Sequence, residues 1–204
     1  MSELPLFPLP VVLFPDSALP LHIFEERYKI LIGECVDGRR EFGINLVQDG
    51  KVSRVGCTAV VKEVRKRYPD GRKDIVVVGR RRYTLGEIDS GRAPYFVGAV
   101  EFFGSVVDTV DRTLACETIQ LYNALIEIVY KDQEHQQSFD QISTEPSFVL
   151  AQKAGMDVLQ RQHLLELVSE NDRLKVLRDY LTDIIPKLET MDEVNRVIRS
   201  DGYL

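Results

Sequence analysis

The chain has 204 residues, 44% of them apolar and 28% charged, the composition of an ordinary water-soluble globular protein with room for one large domain or two small ones. Its formal net charge of −6 is uneven: residues 109–204 hold ten Lys/Arg against seventeen Asp/Glu, a net −7, which leaves +1 for residues 1–108 and points to two parts. No run approaches the roughly 18 apolar residues of a membrane helix, Met1-Ser2-Glu3 has no basic region, and prolines interrupt any signal-peptide core, so a cytoplasmic protein is expected.

Five prolines from Pro5 to Pro20 rule out a helix at the start, since each removes an amide donor and clashes with the preceding turn. The Leu, Val, Ile and Phe residues between them predict short, buried strands zigzagging across the rim of a small barrel-like sheet. From Glu25 the period becomes helical, with Tyr28, Leu31, Ile32, Cys35 and Val36 on one face and Gly38 as a C-cap. Glu41 to Val47 reads as a strand, and Asp49-Gly50 as a hairpin turn. Gly56 to Arg67 reads as a long strand, Pro69-Asp70-Gly71 as a turn, and Ile75 to Leu85 as its antiparallel return, with a bulge or a close backbone approach at Gly79. Tyr95 to Phe102 is the last strand.

Near Val107 the period changes to helical. Val110 to Val129 predicts a helix of about six turns. The polar stretch Lys131 to Ser143 is a mobile connection, and a further helix begins near Pro146 and ends at Gly155. Asp157 with Gln160 caps another, and Ser169 with Asp172 starts the next, which Pro186 is expected to kink or end. Thr190-Met191-Asp192-Glu193 is a capping box for a last short helix bearing Val194, Val197 and Ile198. The fold class expected is α+β: a β-rich subdomain over 1–106 with one packed helix, then an α-helical bundle over 107–204.

Several stretches together carry a resemblance: Pro5-Leu6-Phe7-Pro8-Leu9, Leu13-Phe14-Pro15, Pro20-Leu21-His22-Ile23-Phe24-Glu25, Arg27-Tyr28 and Phe42-Gly43. Val55-Gly56-Cys57-Thr58-Ala59, Pro69-Asp70-Gly71-Arg72, Val78-Gly79-Arg80-Arg81-Arg82-Tyr83 and Pro94-Tyr95 continue it. Gln162 to Glu166 and Arg173-Leu174 extend it into the helical half. The chain thus resembles the substrate-recognition N-terminal domain of Lon proteases over about residues 5–188. The resemblance implies a PUA-like β pseudo-barrel with the early helix packed on it, and binding of unfolded or damaged polypeptides in protein quality control, with a separate protease or chaperone as a possible partner.

No G-x-x-x-x-G-K-[ST] motif and no recognisable Ser-Lys peptidase motif occur. The expectation is therefore a free-standing, non-catalytic recognition or adaptor protein without cofactor or metal. His22, His135 and His163 show no metal-ligand spacing, and Cys35, Cys57 and Cys116 form no C-x-x-C pair. Nothing local activates Cys57, so His22 reads as a structural histidine. Glu25 and Glu26 suit the start of a helix. An apolar rim beside a helical lobe suits an extended segment, and the residues chosen for substrate contact are Phe14, His22, Phe24, Tyr28, Arg80, Arg82 and Tyr95. The alternative is RNA or DNA binding on the basic hairpin 62–82, with nine basic and three acidic residues. Against nucleic acid stand the acidic helical half, the shortage of aromatic residues to stack on bases, and the use of charge to blunt a sheet edge.

Overall fold

The structure, a computed structural model, describes residues 2–38, 40–106, 109–131, 134–139 and 145–201, with side chains to Met191. The strands are β1 (Ser2–Leu6), β2 (Ala18–Ile23), β3 (Phe42–Gln48), β4 (Lys51–Arg67), β5 (Lys73–Asp89) and β6 (Phe96–Phe103). The helices are α1 (Glu26–Gly38), α2 (Arg112–Val129), α3 (Pro146–Ala151), α4 (Val158–Glu166) and α5 (Glu170–Asp201). Packing groups Met1–Gly104 with Asp157–Glu166 as one unit and Ser105–Met156 with Leu167–Leu204 as another.

In the first unit the strand order is β2-β5-β4-β3-β1-β6, and β6 pairs a second time with β5. That extra pairing closes β5, β4, β3, β1 and β6 into a ring, the expected pseudo-barrel, with β2 outside it on β5. The β3–β4 turn has φ of 51° at Asp49 and 74° at Gly50, the two positive values of the tightest hairpins. Pro69-Asp70-Gly71 makes the β4–β5 turn, where Tyr68 N donates to Arg72 O at 2.9 Å. The N-terminal prolines divide their stretch as expected: β1 enters the ring, residues 7–17 cross irregularly, and β2 lies at an edge. Gly38 is the last residue of α1 and does not take the left-handed conformation of a C-cap.

Tyr83 fills the ring with Leu4, Leu6, Leu85 and Val100. Its hydroxyl donates to Asn45 Oδ1 at 2.5 Å, and Asn45 Nδ2 donates to Ser53 O at 3.0 Å. A Cβ at Gly43 would fall 2.2 Å from that hydroxyl, and one at Gly56 2.6 Å, so two glycines on neighbouring strands create the slot for the phenol. Gly79 combines both features expected of it. A Cβ there would sit 2.1 Å from Phe14 O, and the β4–β5 register shifts between Gly79 and Arg82. The Thr58 hydroxyl accepts from Arg81 N at this bulge. The bulge leaves Arg80 and Arg81 both exposed and brings Arg82 and Tyr83 both into buried positions.

Asp157 and Gln160 form a reciprocal capping box on α4, each side chain accepting from the other's amide at 2.8–2.9 Å. Gln162 Nε2 then donates to Val55 O of β4.

In the second unit α2 packs on α5 through Leu114, Tyr122, Leu125 and Ile126 against Leu174, Leu177 and Leu181, all buried. Asp111 caps α2 by accepting from Thr113 N and Leu114 N. The polar connection expected before Pro146 lies partly outside the described residues, as do Val107 and the side chains of Val194, Val197 and Ile198. Pro186 neither ends α5 nor yields a separate last helix. It is exposed and follows buried Ile185 directly, and the Thr182 carbonyl that loses its donor belongs to an exposed residue. Thr190 is no N-cap, because its hydroxyl donates back to Pro186 O at 2.9 Å.

Candidate functional site

β4 and β5 have 17 residues each, against seven in β3 and eight in β6. The excess runs past the ring as a hairpin, with β2 laid on its β5 side. β2 pairs with β5 from Ala18↔Val78 to Ile23↔Lys73, and its other side has no strand among the described residues. Gly79 N donates to Ser17 O, so alternation turns the main-chain groups of Ala18, Pro20 and His22 away from β5. Pro20 therefore falls where a missing amide costs no ladder bond.

At the end of this edge His22 Nδ1 donates to Asp74 Oδ1 at 2.5 Å, and the Tyr68 hydroxyl donates to Asp74 Oδ2 at 2.8 Å. These two bonds, His22's first, hold the Asp74 carboxyl below its usual range. Phe24, 60% exposed, stacks on His22 with centroids 6.0 Å apart, and Tyr68 meets the imidazole edge-on at 5.9 Å. Lys66 and Arg72 stand 4.6 and 5.0 Å from the Tyr68 ring centroid. The result is an apolar and aromatic step bordered by cations, beside main-chain groups that no strand among the described residues pairs with. His22 and Phe24 were visible in the sequence; Tyr68 and Asp74 were not selected, because the pairing of β2 with β5 that brings them in is long-range.

The other chosen residues are spread over the unit. Tyr28 is buried and stacks on Phe7 at 4.0 Å. The Tyr95 hydroxyl donates to Glu34 Oε2 at 2.5 Å, and burial, helped by that carboxylate, pushes its phenol up to about 12. Phe14 is fully enclosed, with the Arg161 guanidinium 4.8 Å over its ring. Arg82, 3% exposed, donates to Leu165 O of α4 at 3.0 Å and lies 4.8 Å over Phe103. Arg81 is engaged by Glu41 at 2.9 Å and by the Phe102 ring at 3.9 Å. Of the arginine triplet only Arg80 is exposed without an ion pair among the described residues. The signal for the burial of Arg82 was the bulge at Gly79, which cancels simple alternation.

A concavity of about 340 Å³ lies between the last turn of α1 and β4, lined by Cys35, Val36, Val60, Val61 and Val64 among others. Burial pushes the Cys35 thiol up to about 11 and the Cys57 thiol up to about 12, so neither is a nucleophile near neutral pH. Among the described residues no group of three His, Cys, Asp or Glu is placed to hold a metal ion, and no helix is long and apolar enough to cross a membrane.

Comparison with known proteins supplies the lineage. A Lon protease of Dictyoglomus thermophilum is 22% identical over 215 residues that cover 97% of this chain, and the chain spans about a quarter, 26%, of that relative. The Lon N-terminal domain protein of Xanthomonas campestris superposes with a TM-score of 0.67 at 24% identity, covering 87% of this chain and 97% of the other. The N-terminal domain of a Mycobacterium avium complex Lon protease gives 0.67 at 18% identity, covering 89% and 99%. At these identities the structural likeness is one of fold. The family model of the ATP-dependent protease La (LON) substrate-binding domain matches residues 3–183, and the chain belongs to that family.

Proposed function

We infer that this chain recognises unfolded or damaged polypeptides and delivers or shelters them as an adaptor in protein quality control, by binding without turnover. The observation that carries the reading is Phe24, a large apolar side chain left 60% exposed at the end of the free β2 edge. An extended segment laid on that edge gains main-chain bonds to Ala18, Pro20 and His22 and packs an apolar side chain on Phe24. The family name, a substrate-binding domain, supports the same reading. The raised Cys35 and Cys57 thiols favour binding over chemistry. Engagement of Arg81 and Arg82 within the unit weakens the case for nucleic acid on the 62–82 hairpin. A separate protease or chaperone is the natural recipient of what is bound, and the cytoplasm its compartment.

Phe24 offers on the order of 100 Å² to a partner, worth about 2.5 kcal/mol at 25 cal/mol per Å². A reduced, alkylated model protein labelled for anisotropy is expected to bind with a Kd of about micromolar or weaker, since a disordered partner must be ordered. Phe24→Ser is expected to weaken it about tenfold with unchanged thermal stability. No binding at high micromolar chain, or equal binding by the variant, refutes the reading.

A further inference from the structure

The 340 Å³ concavity is the end of a vacant strand lane. β3 pairs antiparallel with β4 only from Phe42↔Ala59 onward, so residues 60–67 of β4 have β5 on one side and no strand on the other among the described residues. A chain entering this lane antiparallel to β4 runs from the level of Arg67 toward Val60 and takes the position β3 would have if it were longer. It cannot run through, because residues 40 and 41 of this same chain, leading into β3, occupy the lane ahead. Arg40, whose amide donates to Cys35 O at the end of α1, lines the concavity there with Val61 and Lys62. The lane therefore stops at two cations.

Arg40 and Lys62 both line the concavity and make no ion pair among the described residues, whereas Glu63, the carboxylate lining it, lies 3.6 Å from Arg65. The rest of the wall is apolar: Cys35 and Val36 on the α1 side, Val60, Val61 and Val64 on the β4 side. The volume falls within the range of about 300–1,000 Å³ seen for ligand sites. A blocked end admits a chain terminus rather than an internal segment. Positive charge at the block selects a carboxylate over an ammonium, and a carboxylate leading toward Val60 is the polarity an antiparallel strand requires.

We propose that the slot between α1 and the overhanging half of β4 binds the C-terminus of a polypeptide, its last residues apolar and its terminal carboxylate held by Arg40 and Lys62. The assignment rests on the polypeptide-recognition reading but uses a surface other than the β2 edge. The carboxylate is bound by charge and the last side chains by the valines, while the main-chain groups of 62–67 that face the lane take the ligand's backbone. Lys66 and Arg67, farther along the edge, keep the lane from pairing with arbitrary strands.

The test is anisotropy with the full chain and an N-terminally fluorescein-labelled hexapeptide ending in valine-valine-leucine, as the free acid and as the C-terminal amide. The free acid is expected to bind with a micromolar Kd and the amide at least tenfold more weakly. The Arg40→Ala/Lys62→Ala double variant, both positions on the surface, should lose about tenfold for the free acid and change little for the amide. Equal binding of acid and amide overturns the proposal, as does indifference to the double variant. Binding of octanoate with the same Arg40 and Lys62 dependence, and none of the hexapeptide, assigns the slot to small acids and overturns it too. If the reduced model protein binds and the hexapeptide does not, this proposal alone falls; if neither binds, polypeptide recognition falls with it.

Discussion

Arg173→Met should be the most destabilising single change in the second unit. Arg173 is fully buried and holds three segments together. Its Nη2 donates to Glu170 Oε2 at 2.6 Å, Glu145 Oε1 at 2.8 Å and Ser105 Oγ at 3.0 Å. Nε donates to Ser147 Oγ at 3.0 Å, Nη1 donates to Leu167 O at 2.7 Å, and the guanidinium lies 4.4 Å over Phe148. The buried partner Glu170 also accepts from Ser147 N and Ser147 Oγ. Methionine replaces much of the packing and none of the charge, so Glu170 is left as a buried carboxylate without its cation. Breaking a buried pair in this way costs about 3–5 kcal/mol, a large share of the roughly 5–15 kcal/mol that holds a domain together. Urea unfolding followed by far-ultraviolet circular dichroism measures it. Glu170→Gln in the Arg173→Met background should recover about half, because the amide oxygen still accepts from Ser147 N, its NH2 can donate to Ser147 Oγ, and the stranded charge is gone. A loss under about 1 kcal/mol, or a double variant less stable than the single, refutes the argument that an uncompensated charge dominates.

Two further outcomes follow from buried or bonded groups in the first unit. Tyr83→Phe leaves Asn45 Oδ1 without its donor inside the ring and should cost about 1–3 kcal/mol in urea unfolding; a neutral result would mean Asn45 finds another donor. Asp74 has its pKa lowered by His22 and then Tyr68, so its contribution is present above the unfolded value and lost as pH falls through the folded one. Asp74→Asn should therefore lower stability near neutral pH by an amount that shrinks as pH falls below about 4, and a difference that does not shrink in acid refutes the linkage.

Elements whose formation is local were legible in the sequence. Period 3.6 gave α1, and its inward residues Tyr28, Leu31, Ile32 and Cys35 are those buried. Turn chemistry gave the Asp49-Gly50 and Pro69-Asp70-Gly71 hairpins, and side-chain-to-amide reach gave the caps at Asp157 and Ser169. Long-range pairing was not legible. Nothing in Phe96–Phe103 states that one strand serves both β1 and β5, and the period of Val158–Glu166 says which face is buried, not that β4 lies beneath it. Hence Phe14 and Arg82, chosen for substrate contact, lie in the interior, because α4 supplies Arg161 and the Leu165 carbonyl to cover them. Pro186 misled for a related reason: its helix-breaking cost is real, but solvent on one face and a leucine-rich seam on the other outweigh it.

The closure of the ring also bears on where recognition can occur. A barrel removes edges, and here five strands spend theirs on one another. What remains is set by length. β4 and β5 exceed their ring partners, and the excess carries two edges that no strand among the described residues pairs with, β2 on one side and residues 62–67 of β4 on the other. Each is guarded against indiscriminate pairing, the first by Pro20 and the second by Lys62, Arg65, Lys66 and Arg67. Each also keeps an apolar foothold, Phe24 in the one case and the valine-lined slot beside α1 in the other. Blunted edges with local footholds bind extended chains weakly and selectively. An unguarded edge of equal length would instead template aggregation.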